Sequence, residues 1–376
     1  MKLALIHGHL VVDGNREYLD GTVLVEDERI VDVYPFSNKV KTDLSEYEVI
    51  DLKGSIVMPG FFDTHIHGIG GYDFSKSKAR DFNEISHKLA LGGTTSFFTS
   101  LCPDENIYST LEEFNSTNDE YARFMGIHLE GPFINGDYAG VYNKRFIINP
   151  SINEANKYLS LSNNLRSITM AYEIDGAKDV GKYLRDRGIR VMLGHSGALI
   201  SDLNDEYDGY THLYNAMRPF HHRELSLVND AFSSGKYVEI IGDGVHIDRS
   251  VLKFTLDNID PERVILVSDS NQARMLNDGE YEFLGQKCHK EGNVMRREDG
   301  KLAGSVVSIN DEMKILHKLG VSYTDLLRYS SLNAYRLYGL DRQFGSIVKG
   351  KYSDLCIMDE NLNVLFTIVR GKKVYA

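Results

Sequence analysis

Two histidines separated by one residue, His65 and His67, follow Asp63 early in the chain. Further groups able to ligate a metal recur at wide intervals: Glu130, His195, His212, Asp243, His246 and Asp269. Imidazole nitrogens and carboxylate oxygens suit Zn²⁺ or Fe²⁺, and three such ligands plus a water leave the open position of a catalytic rather than a structural metal. Taken singly, a histidine is more often a surface or hydrogen-bonded residue, which is the reading for His7, His9, His87, His289 and His317. His65 and His67 differ, because alternate residues of a strand face one side and both rings would point the same way.

The elements that must gather these residues can be read from the middle of the chain. Apolar strands are predicted over 56–58 running into 61–65, then 95–99, 124–129, 167–171, 190–193, 210–213, 238–241 and 264–267. Helical patterns lie between them, among them Phe82, Ile85 and Leu89, and later Leu326, Leu327 and Leu337. Strands alternating with helices, without a Gly-x-Gly-x-x-Gly fingerprint, predict an α/β chain closed as a (β/α)8 TIM-type barrel rather than a doubly wound sheet. The metal-capable residues fall at the C-terminal ends of these strands, the rim on which such barrels carry their active sites. Residues two hundred positions apart would therefore meet at one mouth.

Both ends of the chain are strand-rich. Strands are predicted over 2–6, 10–12, 22–26 and 29–34, and again over 355–358, 364–369 and 373–375, with Arg370-Gly371-Lys372 as a hairpin turn. The domain organisation expected is a small β-sandwich from residues 1–53 and 346–376 around a barrel of residues 54–345. A length of 376 residues accommodates a barrel of about 250 residues with such an appendage. The net charge of -12 argues against nucleic acid as a partner, since phosphate backbones need a basic face. No run approaches the roughly 20 apolar residues of a membrane span, and the first residues are too short an apolar run for a signal peptide. Cys102, Cys288 and Cys356 are too scattered for a disulfide framework, so the cytoplasm is the expected compartment.

Several segments carry a resemblance. Pro59-Gly60-Phe61-Phe62-Asp63-Thr64-His65-Ile66-His67-Gly68 is similar to the first-strand signature of the amidohydrolase superfamily. His128-Leu129-Glu130-Gly131-Pro132-Phe133, Gly194-His195-Ser196, Thr211-His212-Leu213-Tyr214-Asn215-Ala216-Met217, Asp243-Gly244-Val245-His246 and Val267-Ser268-Asp269 resemble the N-acetylglucosamine-6-phosphate deacetylases within it. Gly345-Ser346-Ile347, Gly350-Lys351 and Asp354-Leu355 resemble the return into that superfamily's β-sandwich.

The resemblance implies that Glu130, His195 and His212 hold one divalent ion, Zn or Fe, and that His65 and His67 make room for a second. It implies Asp269 as the acid–base residue, accepting a proton from a water whose pKa the metal lowers and passing it to the leaving amine. Substrate contacts implied are Val141, Tyr142, Asn215 and Ala216 (largely through backbone), Arg223, His246 and the Leu302-Ala303-Gly304 turn. The substrate would be a phosphorylated N-acetyl amino sugar, N-acetylglucosamine 6-phosphate or a relative such as its galactosamine isomer, and the assembly a homodimer.

Three departures stand out. Gly140-Val141-Tyr142 replaces the family's usual Gly-Ala-His, Ser270 replaces the alanine after the catalytic aspartate, and Arg223-Glu224-Leu225-Ser226 replaces Arg-Glu-Pro-Gly. Tyr142 can donate a hydrogen bond and stack on a sugar but cannot become cationic near neutral pH. A cyclic-amide hydrolase of the dihydroorotase kind would need a lysine on the fourth strand, and the segment from Ser167 to Glu173 has none. A non-catalytic barrel would have lost ligands, and none is missing.

Overall fold

The computed structural model describes residues 2–36 and 43–376; Met1 and residues 37–42, inside the N-terminal part of the expected β domain, lie outside the described residues. Alternation explains where the two ends of the chain go. In the strand Leu355–Met358, Leu355 and Ile357 pack into one apolar cluster with Leu3, Leu5, Val23 and Ile368, while Cys356 and Met358 join the core of the central barrel. A period of two places successive side chains on opposite faces, so a strand apolar at every position must be covered on both.

Leu355–Met358 pairs antiparallel with Ile56–Pro59, which lies parallel to Lys2–Val11. N- and C-terminal segments thereby share one eight-stranded sheet. Ile56–Pro59 belongs to this sheet and not to the barrel, where the sequence pattern had run it on into the first barrel strand; Gly60 marks the break. Arg123 ties the two layers together. Its guanidinium donates to both carboxylate oxygens of Asp354, at 2.7 and 3.2 Å, and to Glu28 at 2.8 Å.

Eight parallel strands form the barrel in chain order: Phe61–Asp63, Thr94–Leu101, Arg123–Glu130, Leu165–Met170, Arg190–Leu193, Gly209–Tyr210, Tyr237–Ile240 and Val264–Leu266. Helices pack outside, several begun by a side-chain cap: Ser151 accepts from the Glu154 amide and Ser308 from the Asp311 amide, each filling an orphan donor of the first turn. The sixth strand is shorter than its apolar run, because the backbone turns left-handed at His212 (φ 30°).

Between the last strand and the first the seam is closed just past the strand ends. The Asp63 carboxylate accepts from the Ser268 amide at 3.2 Å, the Asp269 amide donates to the His65 carbonyl at 2.8 Å, and the His67 and Gly68 amides donate to the Ser270 carbonyl. The same bonds fix the His-x-His segment against the loop that carries Asp269. One element was absent from the sequence reading: a three-stranded antiparallel ribbon of Gly279–Phe283, Gln286–Glu291 and Val294–Arg297, which walls one side of the barrel mouth.

Candidate metal and active site

Glu130 ends the third barrel strand, with its carboxylate buried at the centre of the mouth. Oε1 lies 3.0 Å from His195 Nε2 and 3.0 Å from His212 Nε2, and those two nitrogens are 3.2 Å apart. His195 Nδ1 is 2.8 Å from the Tyr138 carbonyl, which can only accept. A neutral His195 therefore carries its proton on Nδ1 and turns the bare Nε2 lone pair toward the glutamate. Lone pair facing carboxylate is repulsive unless a cation sits between them, so this donor set fits a divalent ion. His195 and His212 both adopt positive φ, 49° and 30°, a backbone cost of about 1–3 kcal/mol each that non-glycine residues bear at functional sites.

A second group adjoins the first. His65 Nε2 and His67 Nε2 are 3.1 Å apart, and Asp269 Oδ1 lies 3.5 and 3.2 Å from them. Glu130 Oε2 is 3.1 Å from His67 Nε2, so one carboxylate spans both groups. His65 and His67 lie beyond the first strand, which ends at Asp63; their rings converge through the loop held by the seam, not through strand alternation. Burial pushes the Asp269 carboxyl up, but the hydrogen bond from His67 and the charges of His65 and His67 outweigh it and hold the group ionised. Glu130 is likewise driven up by burial and held well below its ordinary value by His65, His195 and His212.

The cavity above these residues has a volume of about 320 Å³ and is lined by Glu130, His195, His212, His67 and Asp269 at its floor. Val141, Tyr142, Asn215, Ala216, His246, Leu302 and Gly304 line it as well, whereas Ala303 is fully buried behind the turn. Tyr142 donates to the Glu130 carbonyl and, at 2.9 Å, to its Oε2, so the residue that replaces the family histidine steadies the bridging carboxylate. His246 is held by Asp243. Its Nδ1 lies 2.7 Å from Oδ2, and the Val245 and His246 amides cap Oδ1. Burial lowers the imidazole pKa, but Asp243 and then Asp269 raise it above the ordinary value, which favours a cationic donor in the cavity. Arg223 is exposed and is not among the lining residues; the cations that line the cavity are Arg297 and Lys301.

Some residues of the site were not singled out from the sequence. Cys102 packs 3.6 Å from His67 Nδ1 and 3.7 Å from Glu130 Oε2. His128 is sandwiched between Ser100 and Thr169 beneath His65, its proton affinity depressed by burial and by the neighbouring His65 charge. Glu239 approaches His65 Nδ1 at 3.5 Å. His128 and Glu239 occupy buried strand positions where ordinary core residues are expected, so pattern alone gave them no signal. The ribbon did leave one, the Leu284-Gly285 turn between two alternating runs.

The family model described as the amidohydrolase family matches residues 56–374, nearly the whole of the chain. The chain belongs to the amidohydrolase family. Among its relatives, the N-acetylglucosamine-6-phosphate deacetylase of Bacillus subtilis (strain 168) is 32% identical over 98% of this chain and 96% of that protein. The N-acetylgalactosamine-6-phosphate deacetylase of Escherichia coli O157:H7 is 27% identical over 86% of this chain and 89% of that protein. The crystal structure of N-acetylglucosamine-6-phosphate deacetylase from Thermotoga maritima superposes with a TM-score of 0.86 at 29% identity, covering 99% of each chain. This amidohydrolase thus has both the barrel and a donor set able to hold a divalent ion, in three overlapping groups: His65, His67 and Asp269; His67, Cys102 and Glu130; and Glu130, His195 and His212.

Proposed function

We propose that this amidohydrolase removes the acetyl group of N-acetylglucosamine 6-phosphate, giving glucosamine 6-phosphate and acetate. The observation that carries the reading is the meeting of Glu130, His195, His212 and Asp269 on the floor of one cavity. Glu130, His195 and His212 would hold the ion, Zn or Fe, with His65 and His67 available to a second. When bound, such an ion supplies Lewis acidity that polarises an amide carbonyl and brings the pKa of water toward about 7.

The remaining work falls to the chain. Asp269, ionised, takes a proton from the attacking water on its carboxylate and returns it to the departing amine, which leaves poorly as an anion. His246, held cationic by Asp243, donates toward the substrate oxygen that gains charge or toward the phosphate. Asn215 and Ala216 fix the sugar, and Val141, Leu302 and Gly304 enclose it. Arg297 and Lys301 give the cavity the positive charge a phosphate needs.

Arg223 becomes a phosphate ligand only when another copy of the chain delivers it. The homodimer reading is supported by the exposed apolar side chains of Phe220, Leu225, Val251 and Phe254 on the loop that carries Arg223 and the nearby helix Arg249–Asn258. Three unpaired cysteines support a reducing, cytoplasmic location. Among the described residues no helix is long and apolar enough to cross a membrane.

Acetate release is the test, measured on N-acetylglucosamine 6-phosphate, its galactosamine isomer and the unphosphorylated sugar. A charge-assisted contact predicts a preference of roughly 10-fold or more for the phosphorylated substrate. Equal turnover with and without phosphate would overturn the reading. The galactosamine isomer is the second reading, favoured by the Escherichia coli relative, and a higher kcat/KM for that sugar would select it.

A further inference from the structure

Outside the active cavity, a second pocket opens between the first barrel helix Phe82–Leu91, the antiparallel ribbon and the start of the helix Ile309–Lys318. Three cations line it: Lys88, Lys290 and Arg274. Arg274 is 4% exposed, and its Nη1 has no hydrogen-bond partner among the described residues. A buried guanidinium left without an acceptor is costly, because desolvating a charged donor is offset only by an anion or by hydrogen bonds. Gly92 makes room for it: a Cβ at that position would stand 3.0 Å from Arg274 Nη2.

Three carboxylates act on Arg274 through charge, Asp63, Asp311 and Glu312, yet none of them hydrogen-bonds its Nη1. Asp311 turns Oδ2 to the amide and hydroxyl of Ser308, at 3.0 and 2.6 Å, and so caps its own helix. Lys290 is anchored by the Leu276 carbonyl and Asp278, and Lys88 reaches Glu84 from the pocket wall. The outcome is a recess where three cations face Asp311 and the C-terminal residue Ala376, with an unsatisfied guanidinium donor at its base and the N-terminal end of a helix at its rim.

We propose that this recess is a second anion site, taking the phosphate or carboxylate group of a small molecule, with Arg274 as its buried cation. It is separate from the catalytic cavity but touches the same loop, residues 269–274, that begins with Asp269. The site does not depend on which amino sugar the enzyme hydrolyses.

Isothermal titration of the metal-loaded enzyme with inorganic phosphate, and separately with succinate, tests it. Lys301→Gln, altered at the catalytic mouth, serves as the control that retains this site. The expected result is a binding event kept in Lys301→Gln and weakened at least 10-fold in Arg274→Gln and in Lys88→Gln; which of the two anions produces it identifies the group recognised. No binding event other than one lost in Lys301→Gln, or binding unchanged in both pocket variants, overturns the proposal and leaves the guanidinium satisfied by buried water. Should Arg274→Gln fail to fold, Lys88→Gln on the solvent side decides alone.

Discussion

Asp269 is the residue on which the chemistry turns, because it is the ionised carboxylate that touches both histidines of the second group and lines the cavity. Replacing it by Asn keeps the shape and removes the proton acceptor. Asp269→Asn is expected to lose about 10²–10⁴-fold in kcat while KM, metal occupancy of the Glu130, His195 and His212 group and melting temperature stay close to wild type. Retained turnover would end the proton-transfer assignment. His246 offers a test in pH. Its pKa is raised by Asp243 against the effect of burial, so the cationic form persists to higher pH than for a free imidazole. Removing the partner carboxylate lowers that pKa. In Asp243→Asn the alkaline limb of kcat/KM should therefore move to lower pH, and a limb that stays in place would mean His246 does not act as a cation.

Elements hold these groups by a few specific bonds, and the buried ion pair between layers is the sharpest to probe. Arg123, on the third barrel strand whose other end carries Glu130, is paired bidentately with Asp354 at the start of the C-terminal sheet. Both side chains are buried. Asp354→Asn leaves most of the guanidinium charge uncompensated and is expected to cost about 3–5 kcal/mol of stability, read as a shift in the denaturant midpoint. Activity per folded molecule should change little, since neither residue reaches the cavity. A cost under 1 kcal/mol would show that Glu28 alone satisfies Arg123.

At the scale of the whole molecule, the folded barrel gathers four imidazoles and two carboxylates into a buried cluster whose lone pairs converge. An ion that binds the folded state and not the unfolded chain stabilises it by mass action, about 2.7 kcal/mol at a hundredfold excess over Kd. Chelation is accordingly expected to abolish acetate release and lower the melting temperature by roughly 5 °C, both restored by a divalent ion. Unchanged melting and full activity after rigorous stripping would refute the metal assignment.

Much of this was legible in the residues themselves. Glu130, His195, His212 and Asp269 stand out because each follows an apolar run long enough to be a strand, and the parallel barrel sends every such strand to one rim; the His-x-His pair and the Asn215-Ala216 segment are local and therefore readable. Sequence also determined that both ends of the chain are strand-rich, and that Leu355–Met358, apolar at every position, needs cover on both faces. Tertiary structure decided the rest. That Ile56–Pro59 joins the terminal sheet depends on Cys356 pairing with Met58 across some three hundred residues, and pattern carries no information about partners so distant. Arg223 and Arg297 are alike in type, yet only Arg297 lines the cavity, because the ribbon folds over the mouth while the Arg223 loop faces solvent. Tyr142 reads as a lost histidine until the fold brings its hydroxyl to Glu130. Local pattern fixes which residues can do chemistry, through their donor atoms and their place at a strand end; which of them touch is set by the long-range hydrogen bonds and packing that close the barrel.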